Sequence, residues 1–249
     1  MYSFNGTDFT VEDYNNAKTF ANFLPGIAGL TGTPMWVFYA NKGQGVCSFG
    51  VRDKNHCIIE FYPANQSYQQ VFNKGFRTYI KANGTVFEPF SPHTKNEKAK
   101  MKVNACGFSI ESVNSEHGIK VTVDYFTVPM ESFAALVRRV KITNVSDKAV
   151  DLEVLDGLPE IFANGVTVDG YKFMGNTYQA WSDVFNLENK IPFYHVRASV
   201  DDSAEVSEIT DGYFYLSSVG GELTAPIVDR KLIFGEDTSF YVPHLFCKQ

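Results

Sequence analysis

Between Ala134 and Leu158 apolar and polar residues take turns along the chain. Leu136, Val140 and Ile142 alternate with Val137, Arg139, Lys141 and Thr143, and Val150, Leu152 and Val154 then alternate with Asp151 and Glu153. A period of two puts successive side chains on opposite faces of an extended segment, so both stretches read as strands with one core face and one wetter face. Arg138 breaks the first alternation. The turn formers Asn144, Ser146 and Asp147 lie between the two, which predicts an antiparallel hairpin with Leu152 and Val154 buried.

The same reading, short runs of β-branched and aromatic residues set off by Asn, Asp, Gly and Pro, predicts strands at 35–40, 45–52, 57–62, 76–81, 108–113, 119–126, 213–219 and 231–234. Asn83-Gly84, Asn164-Gly165, Asp169-Gly170 and Asp211-Gly212 mark turns. Helix is expected only at 12–23, ended by Pro25-Gly26, and as a short turn at 65–72. The stretches 87–102 and 164–192 read as long connections. The predicted fold is mainly β: a large two-sheet antiparallel β-sandwich (supersandwich) with few short helices. It forms a single domain over 1–249, with 1–25 as an N-terminal arm.

With 44% hydrophobic and 20% charged residues, the 249-residue chain has ample material for a core, which excludes disorder. A net charge of −6, spread along the chain, provides no stripe to neutralise a run of phosphates, so nucleic acid is excluded as a partner. Lys95, Lys98, Lys100 and Lys102 form the densest basic cluster and read as a solvated connector. The N-terminal residues do not read as a signal peptide, and the apolar run 35–40 is far too short to span a bilayer. A soluble, cytoplasmic chain is therefore expected, with no membrane partner. Cys47, Cys57, Cys106 and Cys247 are widely spaced and read as free, buried thiols.

Chemistry is sparse in this sequence. His56, His93, His117, His195 and His244 are isolated, so no metal site is expected. There is no G-x-S-x-G elbow, and Gly43-Gln44-Gly45 lacks the third glycine of a phosphate cradle. Glu60, Asp124, Asp156 and Glu160 are positioned near strand ends as carboxylates for glycosidic chemistry, although such residues are more often surface charges. Aromatic content is 15%, most of it accounted for by core packing, with Trp36 and Trp181 lying beside polar or turn-forming neighbours. In the segment 29–50 the glycines permit a tight turn that could display Trp36, Tyr39, Asn41 and Gln44 together at one end of the sandwich as sugar contacts. The competing reading makes the rings ordinary core and the glycines hairpin punctuation.

The run Phe23-Leu24-Pro25-Gly26-Ile27-Ala28-Gly29-Leu30, then Gly32-Thr33-Pro34-Met35-Trp36-Val37-Phe38-Tyr39-Ala40-Asn41-Lys42-Gly43-Gln44-Gly45, resembles the N-terminal region of glycoside phosphorylases of the cellobiose phosphorylase type and their β-glucan phosphorylase relatives. Glu60-Phe61-Tyr62-Pro63 and Gly75-Phe76-Arg77-Thr78-Tyr79 continue the likeness, which extends to Asp156-Gly157-Leu158-Pro159. Lys42 departs from the Arg expected there, and Thr33 from a larger apolar residue. The resemblance implies an N-terminal β-sandwich whose parent enzyme also carries a catalytic (α/α)6 barrel. That barrel is absent from this chain. The parent reaction is inverting phosphorolysis of a β-glucoside to glucose 1-phosphate, with inorganic phosphate as co-substrate and no cofactor. On this reading the chain is a non-catalytic structural and assembly domain, inactive alone, with no catalytic residue of its own. Its expected partners are the barrel domain or subunit, a second copy in a homo-oligomer, and a β-glucan oligosaccharide near the barrel mouth. The alternative is an independent glucan-binding module.

Overall fold

The computed structural model describes residues 1–24, 33–95, 97–199, 204–205 and 207–248. The chain is mainly β, and every strand pair among these residues is antiparallel. One layer is a six-stranded sheet. It contains β1 (Tyr2–Asn5), β2 (Asp8–Glu12), β9 (Glu97–Val103), β10 (Gly107–Asn114), β11 (Ile119–Thr127) and β12 (Leu136–Asn144), in the order β1-β2-β9-β10-β11-β12. Facing it are two smaller sheets. The first holds β3 (Ala21–Leu24), β4 (Met35–Ala40), β5 (Val46–Val51) and β6 (Cys57–Ile59) in sequence order. The second, ordered β13-β7-β8, holds β7 (Arg77–Ala82), β8 (Thr85–Phe87) and β13 (Leu152–Gly157).

The core between the layers follows from alternation. In β10 and β11, Ile110 pairs with Val123 and Ser112 with Val121, and these inward residues are almost wholly buried. They pack with Val37, Tyr39, Phe49, Ile80 and Phe108 from the opposing sheets and the strand ends. On the outer face Glu111 holds Lys100 of β9 at 2.8 Å and Lys120 of β11. The basic cluster is thus not a connector: Lys98, Lys100 and Lys102 are the wet face of β9, and Ala99, Met101 and Val103 are its core face.

Helix α1 (Ala64–Lys74) lies over β4 and β5, where Tyr68, Val71 and Phe72 pack on Phe38, Ala40 and Cys47. The described residues between 160 and 215 form a satellite unit. Helix α2 (Val168–Trp181) and the sheet of β14 (Ser182–Phe185), β15 (Phe193–Val196) and β16 (Tyr213–Phe214) gather there around Cys57, Phe162, Val166, Tyr178 and Val196. A small hairpin, β17 (Ser218–Val219) with β18 (Glu222–Leu223), and the short helices α3 (Lys231–Phe234) and α4 (His244–Lys248) complete the chain. No described helix is long and apolar enough to cross a membrane.

Several expectations are corrected. No helix forms at 12–23: the chain leaves β2, turns, and enters β3. The stop at Pro25-Gly26 and the first part of the 29–50 segment lie outside the described residues. Residues 164–192 contain α2, residues 231–234 form α3 and not a strand, and 213–219 contains two strands of two residues each. Two of the four free cysteines, Cys106 and Cys247, are exposed.

The predicted hairpin does not form. β12 pairs with β11 in one layer, and β13 pairs with β7 in the other, so residues 145–151 carry the chain across the sandwich. Leu152 and Val154 sit opposite Ala82 and Ile80, which places them on the core face as their alternation implies. They are nevertheless 38% and 45% exposed, because β13 is an end strand of its sheet and its core face runs out into solvent.

Ile110→Ala is expected to cost about 2–5 kcal/mol in urea unfolding, and Leu152→Ala only about 1 kcal/mol. Equal costs would contradict the assignment of β13 as an uncovered edge. Burial pushes the Cys47 and Cys57 thiols up to about 12. Iodoacetamide at about pH 8 should therefore label Cys106 and Cys247 in the native chain and all four cysteines after denaturation, read by mass spectrometry.

Candidate functional site

Of the four candidate sugar contacts, Trp36 and Tyr39 lie in β4, and Asn41 and Gln44 in the turn that joins it to β5. Gly45 has φ +85°, and a Cβ there would lie 2.4 Å from the Phe108 ring, so only glycine lets the turn sit against the opposite layer. The turn is inward-facing. Asn41 is fully buried: its amide donates to the carbonyls of Tyr14 (3.1 Å) and Lys18 (3.0 Å), and its oxygen accepts from the Phe20 amide (2.8 Å). Lys42 Nζ donates to the Asn15 and Ala17 carbonyls, the Gly43 amide donates to Asn15 Oδ1, and the Tyr14 hydroxyl donates to the Gly43 carbonyl. Residues 14–20 are held as an irregular span because the carbonyls of Tyr14, Asn15, Ala17 and Lys18 bond to the turn, while the Ala17 amide closes only a local turn on the Asp13 and Tyr14 carbonyls. That is the physical reason no arm helix forms.

The other candidates are also occupied. Tyr39 is buried and stacks on Phe108 at 4.9 Å. Trp36 is half-buried against the satellite cluster and donates through Nε1 to the Asp53 carbonyl at 3.1 Å. Gln44 is 3% exposed and belongs to a hydrogen-bonded group inside the sandwich. The expected display of Trp36, Tyr39, Asn41 and Gln44 at one surface is thus corrected: within this chain three of the four are buried structural residues.

The group around Gln44 centres on Arg138, whose side chain is 7% exposed. Its Nε donates to the Tyr125 hydroxyl at 3.0 Å, Nη1 to Asp156 Oδ2, and Nη2 to Gln44 Oε1 and to Thr78 Oγ1 (2.9 Å). Thr78 in turn donates to Asp156 Oδ1 at 2.6 Å. The guanidinium also lies over the Phe76 ring at 5.0 Å. Arg138 falls on the core face of β12, opposite Tyr125 of β11. The break in alternation was therefore the sequence signal of this buried charge. Burial pushes the Tyr125 phenol up to about 12, so it meets the guanidinium as a neutral acceptor.

These contacts decide what the carboxylates can do. Asp156 is the counter-ion of Arg138 and accepts from it and from Thr78, so it is held in the interior network. Asp124 pairs with exposed Arg139 at 2.9 Å on the outer face. Glu60 accepts from the Tyr62 hydroxyl, and Glu160 faces Arg230 at 3.4 Å. Burial, the Glu60 bond and the charge of Glu160 raise the Tyr62 phenol above its ordinary value. Among the described residues no three His, Cys, Asp or Glu side chains gather as a metal site.

Beside Arg138 and Asp156 the sandwich is only partly covered, with the Tyr215 phenol near enough to feel both charges. β12 ends the six-stranded sheet, β13 ends the opposing one, and the ion pair is a rung between them. Half-buried Leu136, Val140 and Ile142 line one side of this opening, and Leu152 and Val154 the other. This uncovered side is the candidate functional surface.

Asp156→Ala should destabilise the chain by about 2–3 kcal/mol, less than a fully buried pair because Asp156 keeps 31% exposure. Gln44→Ala should cost about 1–3 kcal/mol by leaving buried partners unsatisfied. Asp124→Ala, at an exposed pair, should stay within about 0.5 kcal/mol; thermal unfolding of the three variants checks the order. Comparison with protein-family models gives no match, and comparison with curated proteins likewise gives none.

Proposed function

We propose that this chain is a non-catalytic β-sandwich domain of an inverting glycoside phosphorylase of the cellobiose phosphorylase type, working as a platform for a separate (α/α)6 catalytic barrel. The observation that carries this reading is the open side between β12 and β13. Among the described residues no further strand pairs with these two edges, and core-facing Leu152 and Val154 are left in water. A sandwich face of this kind is an assembly surface, since both the apolar side chains and the edge backbone groups gain from a partner.

The arrangement of the β4–β5 turn agrees with a platform role. Asn41, Lys42 and Gly43 spend their hydrogen bonds on residues 14–20, and Gln44 on Arg138 and Thr78, so the segment that resembles the phosphorylases most closely stiffens the domain. Substrate chemistry then belongs to the barrel, with inorganic phosphate as co-substrate. The same uncovered side leads isolated copies of the chain to associate.

Two measurements test this. The pure chain incubated with cellobiose, laminaribiose or sophorose and inorganic phosphate should release no glucose 1-phosphate; release above a heat-killed control would overturn the non-catalytic reading. Sedimentation velocity should show concentration-dependent self-association that is lost in the Leu152→Glu, Val154→Glu double variant. A monomer at every concentration would remove the open side as an assembly surface.

A further inference from the structure

At the far edge of the β13-β7-β8 sheet, beyond β8, the surface is concave. The loop after β8, the end of α1, the turn between β10 and β11 and Tyr241 border an open cleft of about 570 Å3. That lies within the roughly 300–1,000 Å3 typical of small-molecule sites. β7 and β8 separate it from the open side, and none of the proposed sugar contacts from the β4–β5 turn lines it.

The charges lining the cleft balance. Arg77 and Lys95 stand against Glu88 and Glu116, with His93 and His117 beside them. A balanced wall neither attracts a phosphate nor traps a cation, and it favours a neutral polar ligand. The central pair is rigidly built. Arg77 Nε donates to Glu88 Oε1 at 2.6 Å and Nη2 to Oε2 at 2.7 Å, and Arg77 also donates to the carbonyls of Phe240 and Tyr241. An ionised carboxylate has about four lone-pair sites, of which Arg77 takes two, so Glu88 can still accept from two hydroxyls. Its side chain keeps 19% exposure and lines the cleft. Two adjacent donors of that kind are what neighbouring hydroxyls on a pyranose ring present.

The walls supply the complementary apolar surface. The Phe87 and His117 rings stack at 4.6 Å and 12°, forming one aromatic slab beside the carboxylate. Tyr241 is 48% exposed at the rim, with His93 at its edge, 5.6 Å between ring centres. Flat rings next to a fixed acceptor pair suit the C–H face and the hydroxyl edge of a sugar.

We infer that this cleft is a binding site for a short neutral oligosaccharide, with Glu88 accepting hydroxyls and Tyr241 and the Phe87–His117 pair stacking on ring faces. This site does not rest on the phosphorylase reading. It holds carbohydrate without transforming it, away from the surface assigned to assembly.

The full chain is titrated by calorimetry with cellotriose and laminaritriose, and with inorganic phosphate as an anion probe. Saturable binding of a trisaccharide without phosphate binding is expected, weakened about three- to tenfold in Tyr241→Ala, the loss of one stacked ring. Glu88→Gln should weaken it further. Should that variant fail the circular-dichroism check for folding, His117→Ala serves in its place. No saturable binding of either trisaccharide would overturn the inference. So would tighter binding of phosphate, or sugar binding that ignores Tyr241→Ala together with the second variant. Glucose 1-phosphate release is read separately, so failure of this site and failure of the phosphorylase reading are distinguishable.

Discussion

Arg138 carries a permanent positive charge into the space between the two layers. Removing a guanidinium from water costs several kcal/mol unless its donors and its charge are met inside. Here they are met by residues from both layers: Tyr125 from β11 on its own side, and Gln44, Thr78 and Asp156 from the β4–β5 turn, β7 and β13 on the other. The requirement fixes relative positions that apolar packing alone leaves loose, because a hydrogen bond tolerates far less displacement than a methyl contact. The register of β12, the placement of the turn and the crossing of the chain to β13 all have to satisfy one side chain.

A second polar group orders the N-terminal part. The Asn41-Lys42-Gly43 turn takes up backbone carbonyls and an amide between Tyr14 and Phe20, so a span that lacks regular structure is tied down and can lie against the core. Gly45 makes this possible by letting the turn approach Phe108. The turn thereby links two tasks: its first residues hold the N-terminal span, and its fourth, Gln44, reaches Arg138.

Polar side chains that attract attention as ligand contacts in the β4–β5 turn are spent on the interior, whereas the open side and the cleft beyond β8 keep unspent capacity. The open side offers apolar surface and strand edges, which suits a polypeptide partner. The cleft offers rings and a half-used carboxylate, which suits a polyol.

The period-two pattern by itself determined that the chain is mainly β and antiparallel, and the correct faces of β12 and β13, because alternation is a local property of each strand. Even Leu152 and Val154 were read on the right face. What alternation does not contain is the identity of a strand's neighbour. β12 and β13 follow one another in sequence across a turn-rich linker, yet they pair with β11 and β7 in different layers, a choice made by contacts distant in sequence. That choice turned two well-read core residues into exposed ones. The fate of Gln44 and Asn41 was equally invisible, since their partners lie up to 94 residues away. Helix α2 was masked by its glycines and tyrosines, and becomes helical where Tyr178 and Val168 find the satellite cluster. Arg138 was visible as a flaw in a pattern. Only the folded structure, which brings Asp156, Thr78, Gln44 and Tyr125 around it, made that flaw a tie between the two layers, because a buried charge can be read only together with the groups that neutralise it.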